Sequence, residues 1–204
     1  MSLRATERKR GSLVTLGINF AISRTWSLTR DCFVASAPRN DKCCFMISII
    51  CIIAKNRAIG LKNKLLYDIP DDLKHFQTIT TGHVVIMGEN TFHSMNDKPL
   101  LNRVNIILTL DNNFKAENCL IAHSFEESIE FGKAQNKGEI FFIGGGMIYK
   151  QALPLADKLY LTIVEDEPTQ ADTFFPDYGE FKNIVKTEAR ESNGYKYSFV
   201  ELIR

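Results

Sequence analysis

The strongest pattern in the chain is the run from Ile47 to Ala54, Ile-Ser-Ile-Ile-Cys-Ile-Ile-Ala, nearly all apolar and rich in β-branched residues. A strand buried on both faces reads this way, and it points to a parallel sheet with helices on each side. The same signature recurs at Val84–Met87, Val104–Leu108, Cys119–Ala122 and Ile140–Ile143. Between these runs lie helix-like stretches: Pro70–Ile79, a short one after Gly88, Phe125–Ala134 and Met147–Leu153. Strands alternating with helices of about ten residues predict an α/β layered fold. The tail differs. Lys158–Val164 and Tyr195–Leu202 alternate apolar with polar positions, separated by charged and turn-prone sequence, and are expected to close the sheet as antiparallel edge strands.

These signals begin at Met46, which would make a natural start, so one domain over 46–204 is the economical reading. A 204-residue chain, 45% apolar and 24% charged, is ordinary for a globular protein, and disorder or a highly charged tail is excluded as its general character. Net charge is +1, from 25 basic and 24 acidic residues, but residues 1–45 hold eight of the basic and three of the acidic ones. The body is therefore mildly acidic, which speaks against a nucleic-acid surface. The basic leader is expected to be a disordered or non-native extension; an organellar presequence and a small accessory element stay open.

Cysteine and histidine usage narrows the chemistry. The five cysteines are odd in number, form no C-x-x-C, and show no zinc-site spacing with the four dispersed histidines. We expect a reducing, cytoplasmic setting, no disulfide scaffold and no metal. No stretch approaches the roughly 18 apolar residues of a membrane span.

Three segments could carry chemistry. In Asp68-Ile69-Pro70-Asp71-Asp72-Leu73-Lys74-His75-Phe76, Pro70 suits the first turn of a helix, with Asp68 or Ile69 near the cap. Asp72 then shares a face with Phe76 and Ile79, and a carboxylate among apolar side chains suits an amidine-like or guanidine-like edge. Equally, Asp71 and Asp72 could only complement the helix dipole. The second segment, Ile140-Phe-Phe-Ile followed by Gly144-Gly145-Gly146, puts glycines at a strand-to-helix junction, where phosphate can approach backbone N–H groups. It is neither the G-x-G-x-x-G fingerprint nor a Walker loop, and it could be only a tight turn. The third, His83 to Phe92, is another strand–glycine–helix junction at Gly88, carrying Glu89 where a phosphate would be unwelcome. No nucleophile elbow is present, and Cys51 reads as an inert core residue.

Six ordered signatures now stand together: Ile59-Gly60; Ile69-Pro70-x-Asp72-Leu73-x-x-Phe76; Val85-Ile86-Met87-Gly88-x-x-Thr91-Phe92; Pro99-Leu100-x-x-Arg103-x-Asn105; Ile143-Gly144-Gly145-Gly146-x-x-Tyr149; and Asp172-Thr173-x-Phe175-Pro176. In register and over the whole of 46–204, they resemble dihydrofolate reductase of the bacterial chromosomal type. The resemblance implies a three-layer α/β fold, with an eight-stranded, mostly parallel twisted sheet, about four helices and antiparallel C-terminal edge strands. It implies reduction of 7,8-dihydrofolate by hydride transfer from NADPH to pterin C6, with a proton from water at N5, in a monomer that binds dihydrofolate and antifolates.

By the same resemblance Asp72 is the acidic residue of the pterin pocket, supported by Thr162. Ile50, Cys51 and Ile143 line that pocket, Leu73, Phe76, Met95 and Leu100 form its apolar wall, and Arg103 takes the substrate's α-carboxylate. Ala54–Asp68 resembles a mobile lid, with water admitted beside Leu65 as proton donor. Ile52, Ile59 and Thr91 are implied nicotinamide contacts. Gly60, Gly88, Glu89, Asn90, Thr109, Leu110, Met147, Ile148 and Tyr149 complete the cofactor side, and Gly144–Gly146 cradle the pyrophosphate, with Gly144-Gly145 matching the family's cis bond.

Five positions depart from the family pattern, among them Leu110 in place of a small polar residue and Met147 in place of a basic one. Tyr67 replaces a tryptophan, although its hydroxyl can still bind the active-site water, and Leu66 replaces a proline. Glu89 replaces an arginine or lysine that faces the adenosine 2′-phosphate, so NADPH preference is expected to weaken towards tolerance of NADH. Two rivals remain: the related reductase of an early riboflavin intermediate, and a nucleotide-sensing or nucleic-acid-binding domain on the same fold. Asp72 and Arg103 opening onto one cleft would argue against both.

Overall fold

The computed structural model of this chain describes residues 45–204. The expectation for the leader therefore lies outside the described residues, Phe45 excepted. Element order is β1 (Met46–Ala54), β2 (Ala58–Leu61), β3 (Lys64–Leu65), α1 (Pro70–Thr80), β4 (Val84–Gly88), α2 (Glu89–Ser94), β5 (Val104–Leu108), β6 (Cys119–Ala122), α3 (Phe125–Ala134), β7 (Glu139–Gly144), α4 (Gly146–Ala152), β8 (Lys158–Val164), β9 (Thr173–Phe174), β10 (Asn183–Ser192) and β11 (Tyr195–Ile203). Eight strands form one sheet in the order β10-β11-β8-β1-β7-β4-β5-β6, and β3-β2-β9 form a small second sheet.

The apolar runs lie at the centre because they serve two faces at once. Along β1, β4 and β7, Ile49, Ile53, Ile86 and Phe142 pack towards α3 and α4, whereas Ile50, Val85, Met87 and Phe141 pack towards α1 and α2. Ile49, Ile86, Ile106, Phe141 and Phe142 are fully buried, and each such side chain contributes about 1.5–3 kcal/mol. Helix, sheet and helix make the three layers expected from the sequence.

Two readings of the tail need correction. β8 is not an edge strand: it pairs parallel with β1 along its whole length, from Ser48↔Lys158 to Ala54↔Val164. The antiparallel part is β11, paired with β8 on one side and with β10 on the other. β10 itself, the true rim, lies in the stretch read as connecting sequence. Its side chains are exposed almost throughout, so it has no buried face to impose a period of two. The lid stretch also holds more order than a loop, because Gly60 pairs with Leu65 of β3 and with Thr173 of β9.

Candidate active site

The strands of the parallel core end together at one edge of the sheet, where open α/β sheets bind ligands. α1 delivers the first group. Pro70 occupies its first turn, Ile69 precedes it as a cap without a side-chain bond, and Asp71 and Asp72 follow. Asp72 lands over β8, where the Thr162 hydroxyl donates to its Oδ1 at 2.5 Å. Burial raises the Asp72 pKa, and the Thr162 bond partly offsets that rise. A half-buried carboxylate with one bond from the protein keeps its other oxygen for a ligand's donor edge.

Ile50, Phe76, Met95, Leu100 and Ile143 gather in the apolar cluster beneath this carboxylate. Leu73 is 49% exposed and stands at the rim instead of in the wall. Cys51 does not line this pocket with its side chain. It points to the opposite face of β1, into the main core, where burial pushes the thiol up to about 12. Tyr67 takes a partner within the protein. It is buried against Ile52, Val164 and Tyr197, and its hydroxyl donates to Asp166 Oδ2 at 3.1 Å.

Arg103 closes the far end of the same helix. Its Nη1 donates to the Thr80 hydroxyl at 3.0 Å, its Nε to the Leu101 carbonyl at 3.0 Å, and the guanidinium lies 5.6 Å from the Phe76 ring centre. Asp72, Phe76 and Thr80 thus run along one stripe of α1, with Arg103 at its end. Buried Asn105 fixes the loop that presents this arginine. Its amide oxygen accepts from the Leu100 N–H, and its nitrogen donates to the carbonyls of Leu100 and Arg103. The sequence placed Asn105 in a motif without assigning it a role. A buried amide one strand position beyond an arginine loop was the available signal.

Beside this pocket opens a cleft of about 950 Å³. Ile59, Gly60, Gly88, Glu89, Asn90, Thr91, Thr109, Leu110, Gly144, Gly145, Gly146, Met147, Ile148 and Tyr149 all line it, together with Leu65 and Ile143. Ile52 does not; it belongs to the cluster around Tyr67. The glycine junctions at the ends of β4 and β7 are neighbours, and the Gly144-Gly145 bond is cis. Gly144 has φ +136°, and an added Cβ would lie 3.2 Å from Thr91 Oγ1 and 3.4 Å from the Tyr149 hydroxyl. At Gly146 the nearest atom would be Thr173 Cγ2 at 3.0 Å. This wall is bare backbone, and a side chain at Gly144 or Gly146 would crowd its neighbours, which fits a pyrophosphate approaching N–H groups. Buried Tyr149 donates to the Ile50 carbonyl at 3.1 Å, tying this wall to the neighbouring pocket.

At the other end of the cleft, Glu89 is held rather than free. Thr109 donates to its Oε2 at 2.5 Å, and His93 Nε2 lies 3.3 Å from its Oε1. Leu110 is 90% exposed and Met147 71%, so two apolar side chains stand open here. Sequence reasoning missed His123, Ser124, Asp111 and Lys150 on the cleft walls. The end of β6 was the usable sign for the first two, since they follow a strand of the main sheet directly. On the lid side, Asp172 Oδ2 accepts from the Lys62 N–H at 2.7 Å, and that bond is the main cause of its lowered pKa.

Comparison with known proteins agrees with this geometry. The family model described as dihydrofolate reductase matches residues 46–204. A dihydrofolate reductase of Staphylococcus aureus (strain Mu50 / ATCC 700699) is 35% identical over 162 residues, covering 78% of this chain and 98% of the relative. A type 3 dihydrofolate reductase of Salmonella typhimurium is 36% identical over 163 residues, with the same coverage of 78% and 98%. A solved dihydrofolate reductase of Enterococcus faecalis, complexed with NADP(H) and RAB-propyl, superposes with a TM-score of 0.72 at 30% identity, covering 78% of this chain and 96% of that one. With a family model matched over 46–204 and relatives covered nearly whole, this chain belongs to the dihydrofolate reductase family.

Proposed function

We propose that Asp72, Thr162 and Arg103 hold dihydrofolate along α1 while the glycine-lined cleft holds NADPH, and that these residues carry out the family's reaction here. The chain is an NADPH-dependent dihydrofolate reductase. When bound, NADPH supplies the hydride that converts 7,8-dihydrofolate to 5,6,7,8-tetrahydrofolate at pterin C6. Asp72 accepts from the pterin's amino and ring N–H donors, and Thr162 fixes the carboxylate for that task. The carboxylate orients the ring, and a water entering beside exposed Leu65 gives the proton to N5. Ile50, Phe76, Met95, Leu100 and Ile143 exclude bulk water around the rings. Arg103 pairs with the substrate's α-carboxylate through the guanidinium edge that Thr80 and Leu101 leave open. A diaminopyrimidine antifolate, with its donor edge towards Asp72, occupies the same pocket.

The observation that carries this reading is the Asp72–Thr162 pair, half-buried at one end of an apolar stripe that Arg103 closes at the other. Arg103 and Asp72 serving one surface of α1 argue against the riboflavin-type and nucleotide-sensing alternatives. The cofactor's pyrophosphate lies against Gly144–Gly146, and its adenosine ribose faces Glu89 and Thr109. Because Glu89 is a carboxylate, it repels a 2′-phosphate and accepts from a 2′-hydroxyl, so NADH is tolerated beside NADPH. Residues 46–204 are the catalytic unit. A monomer and a cytoplasmic setting complete this reading, the latter in keeping with the free Cys51 and Cys119. No helix among the described residues is long and apolar enough to cross a membrane.

The test is dihydrofolate-dependent oxidation of NADPH, followed at the nicotinamide absorbance and repeated with NADH. Asp72→Asn is expected to lower kcat/KM at least about 100-fold. Undiminished turnover in that variant would overturn the assignment of Asp72.

A further inference from the structure

The Glu89 end of the cleft contains a chain of contacts that the reaction does not require. His93 lies one helical turn beyond Glu89 on α2. Its Nε2 is 3.3 Å from Glu89 Oε1, and its Nδ1 is 2.5 Å from Asp97 Oδ1. Glu89 in turn accepts from Thr109, whose hydroxyl oxygen accepts from the Asp111 N–H at 3.0 Å. A neutral imidazole has one N–H and one lone pair, so it can satisfy only one of two carboxylates. The imidazolium, a donor at both nitrogens, satisfies both. The geometry therefore selects the charged ring.

We propose that His93 is a positioning residue for cofactor choice: as imidazolium it holds Glu89 against Thr109 and offsets its charge, and as neutral imidazole it leaves that charge uncompensated, so the preference between 2′-phosphorylated and 2′-hydroxyl nicotinamide cofactors changes with pH. This rests on the reading above that the adenosine ribose faces Glu89. Bonds to Asp97 and Glu89 raise the His93 pKa above the ordinary imidazole value. Below that titration Asp97, His93 and Glu89 together carry one negative charge, and above it two. A 2′-phosphate meets more repulsion as pH rises, whereas a 2′-hydroxyl does not.

The surroundings leave this device largely to itself. Phe114, from the segment after β5, packs its ring edge-on against His93, 5.9 Å between centres, and brings no charge. Asp111, His123 and Lys150 line the same cleft from the β5 end, the β6 end and α4. None of the three is bonded to His93, whose shift comes from Asp97 and Glu89 alone apart from desolvation.

The experiment measures kcat and KM for NADPH and NADH with dihydrofolate, from about pH 5.5 to about pH 9, across the imidazole range. The ratio of the two kcat/KM values is expected to fall roughly five-fold towards NADH as His93 loses its proton beside a doubly charged phosphate. In His93→Gln the ratio retains only the change due to the phosphate's own ionisation near about pH 6. His93→Lys, a fixed cation, keeps the low-pH ratio throughout. Asp97→Asn moves the transition to lower pH, and NMR titration of the His93 ring follows the same shift directly. A full wild-type pH profile surviving in His93→Gln, with Glu89→Gln still altering cofactor preference, overturns the proposal and leaves the ribose assignment standing. Unchanged KM for both cofactors in Glu89→Gln overturns the ribose assignment itself.

Discussion

The two halves of the site, the pocket at Asp72 and the cleft beside it, are built from different materials. The half around Asp72 is made of side chains: a carboxylate from α1, a hydroxyl from β8, and an arginine held by a buried amide. The half around Gly144–Gly146 is made of backbone, with side chains kept out by the closeness of Thr91, Tyr149 and Thr173. The contrast follows from what each must recognise. A pterin presents a flat donor edge that one well-placed anion can read. A pyrophosphate presents oxygens on all sides, which a row of N–H groups reads best. Single substitutions should therefore act sharply in the first half and through steric exclusion in the second.

The largest expected effect tests the first half. Asp72→Asn should lower kcat/KM by at least about 100-fold and yet raise Tm by a few degrees at neutral pH. The sign follows from linkage. Burial lifts the folded pKa of Asp72 above its unfolded value, so its contribution to stability is fully present below the unfolded value. That contribution is lost as pH rises through the folded pKa, and asparagine escapes the loss while still accepting from Thr162. A Tm that falls would break the picture of a carboxylate held at a cost for function. Next, Arg103→Leu should raise the KM for dihydrofolate about 10- to 100-fold through loss of a charge-assisted pair, with the KM for NADPH unmoved. Equal changes in both constants would mean that the two halves are not separate.

Gly144→Ala tests the second half. Its φ of +136° and the 3.2 Å approach to Thr91 make a side chain there both strained and intrusive. We expect a loss of about 1–3 kcal/mol in denaturant unfolding, together with a raised KM for NADPH. The smallest effect is set by α3, which borders the cleft without touching the chemistry. Ser124 accepts from the Glu127 N–H, and Glu127 accepts in return from the His123 N–H. Ser124→Ala should cost about 1 kcal/mol of stability while leaving the KM for dihydrofolate as it was.

The core was legible because strands buried on both faces must be apolar throughout. β5 falls at the expected residues for that reason, whereas β6, an outer strand, and helix α3 were marked by a short apolar run and by one apolar face. β10 was not legible, since Asn183–Ser192 owes its strand to pairing with β11 and buries almost nothing of its own. The direction of β8 was hidden too, because parallel and antiparallel neighbours can carry the same alternation. In the site, pattern alone left Asp72 between a ligand anion and a dipole partner. What separates these readings is Thr162, which stands 90 positions away in sequence. The family resemblance supplied that pairing. It gave no sign that Tyr67 would turn to Asp166, or that Glu89 would be held by Thr109 and His93, because Tyr67 and Glu89 are the positions where this chain departs from the family pattern.

The rim strand has a consequence for how the protein behaves in concentrated solution. β10 offers ten residues of open edge, with Ile184 and Val185 exposed, which is the kind of border on which further chains can stack. Two features oppose this. The register with β11 slips between Ile184 and Lys186, so the hydrogen-bonding border is not a straight template. Beyond the slip, Lys186, Glu188 and Arg190 alternate in sign and pair with one another along the strand. An incoming strand would have to lay its own side chains beside those charges. The irregular, charged border thus keeps neighbouring molecules from joining their sheets, and colloidal stability at high concentration should depend on these residues more than on any in the cleft.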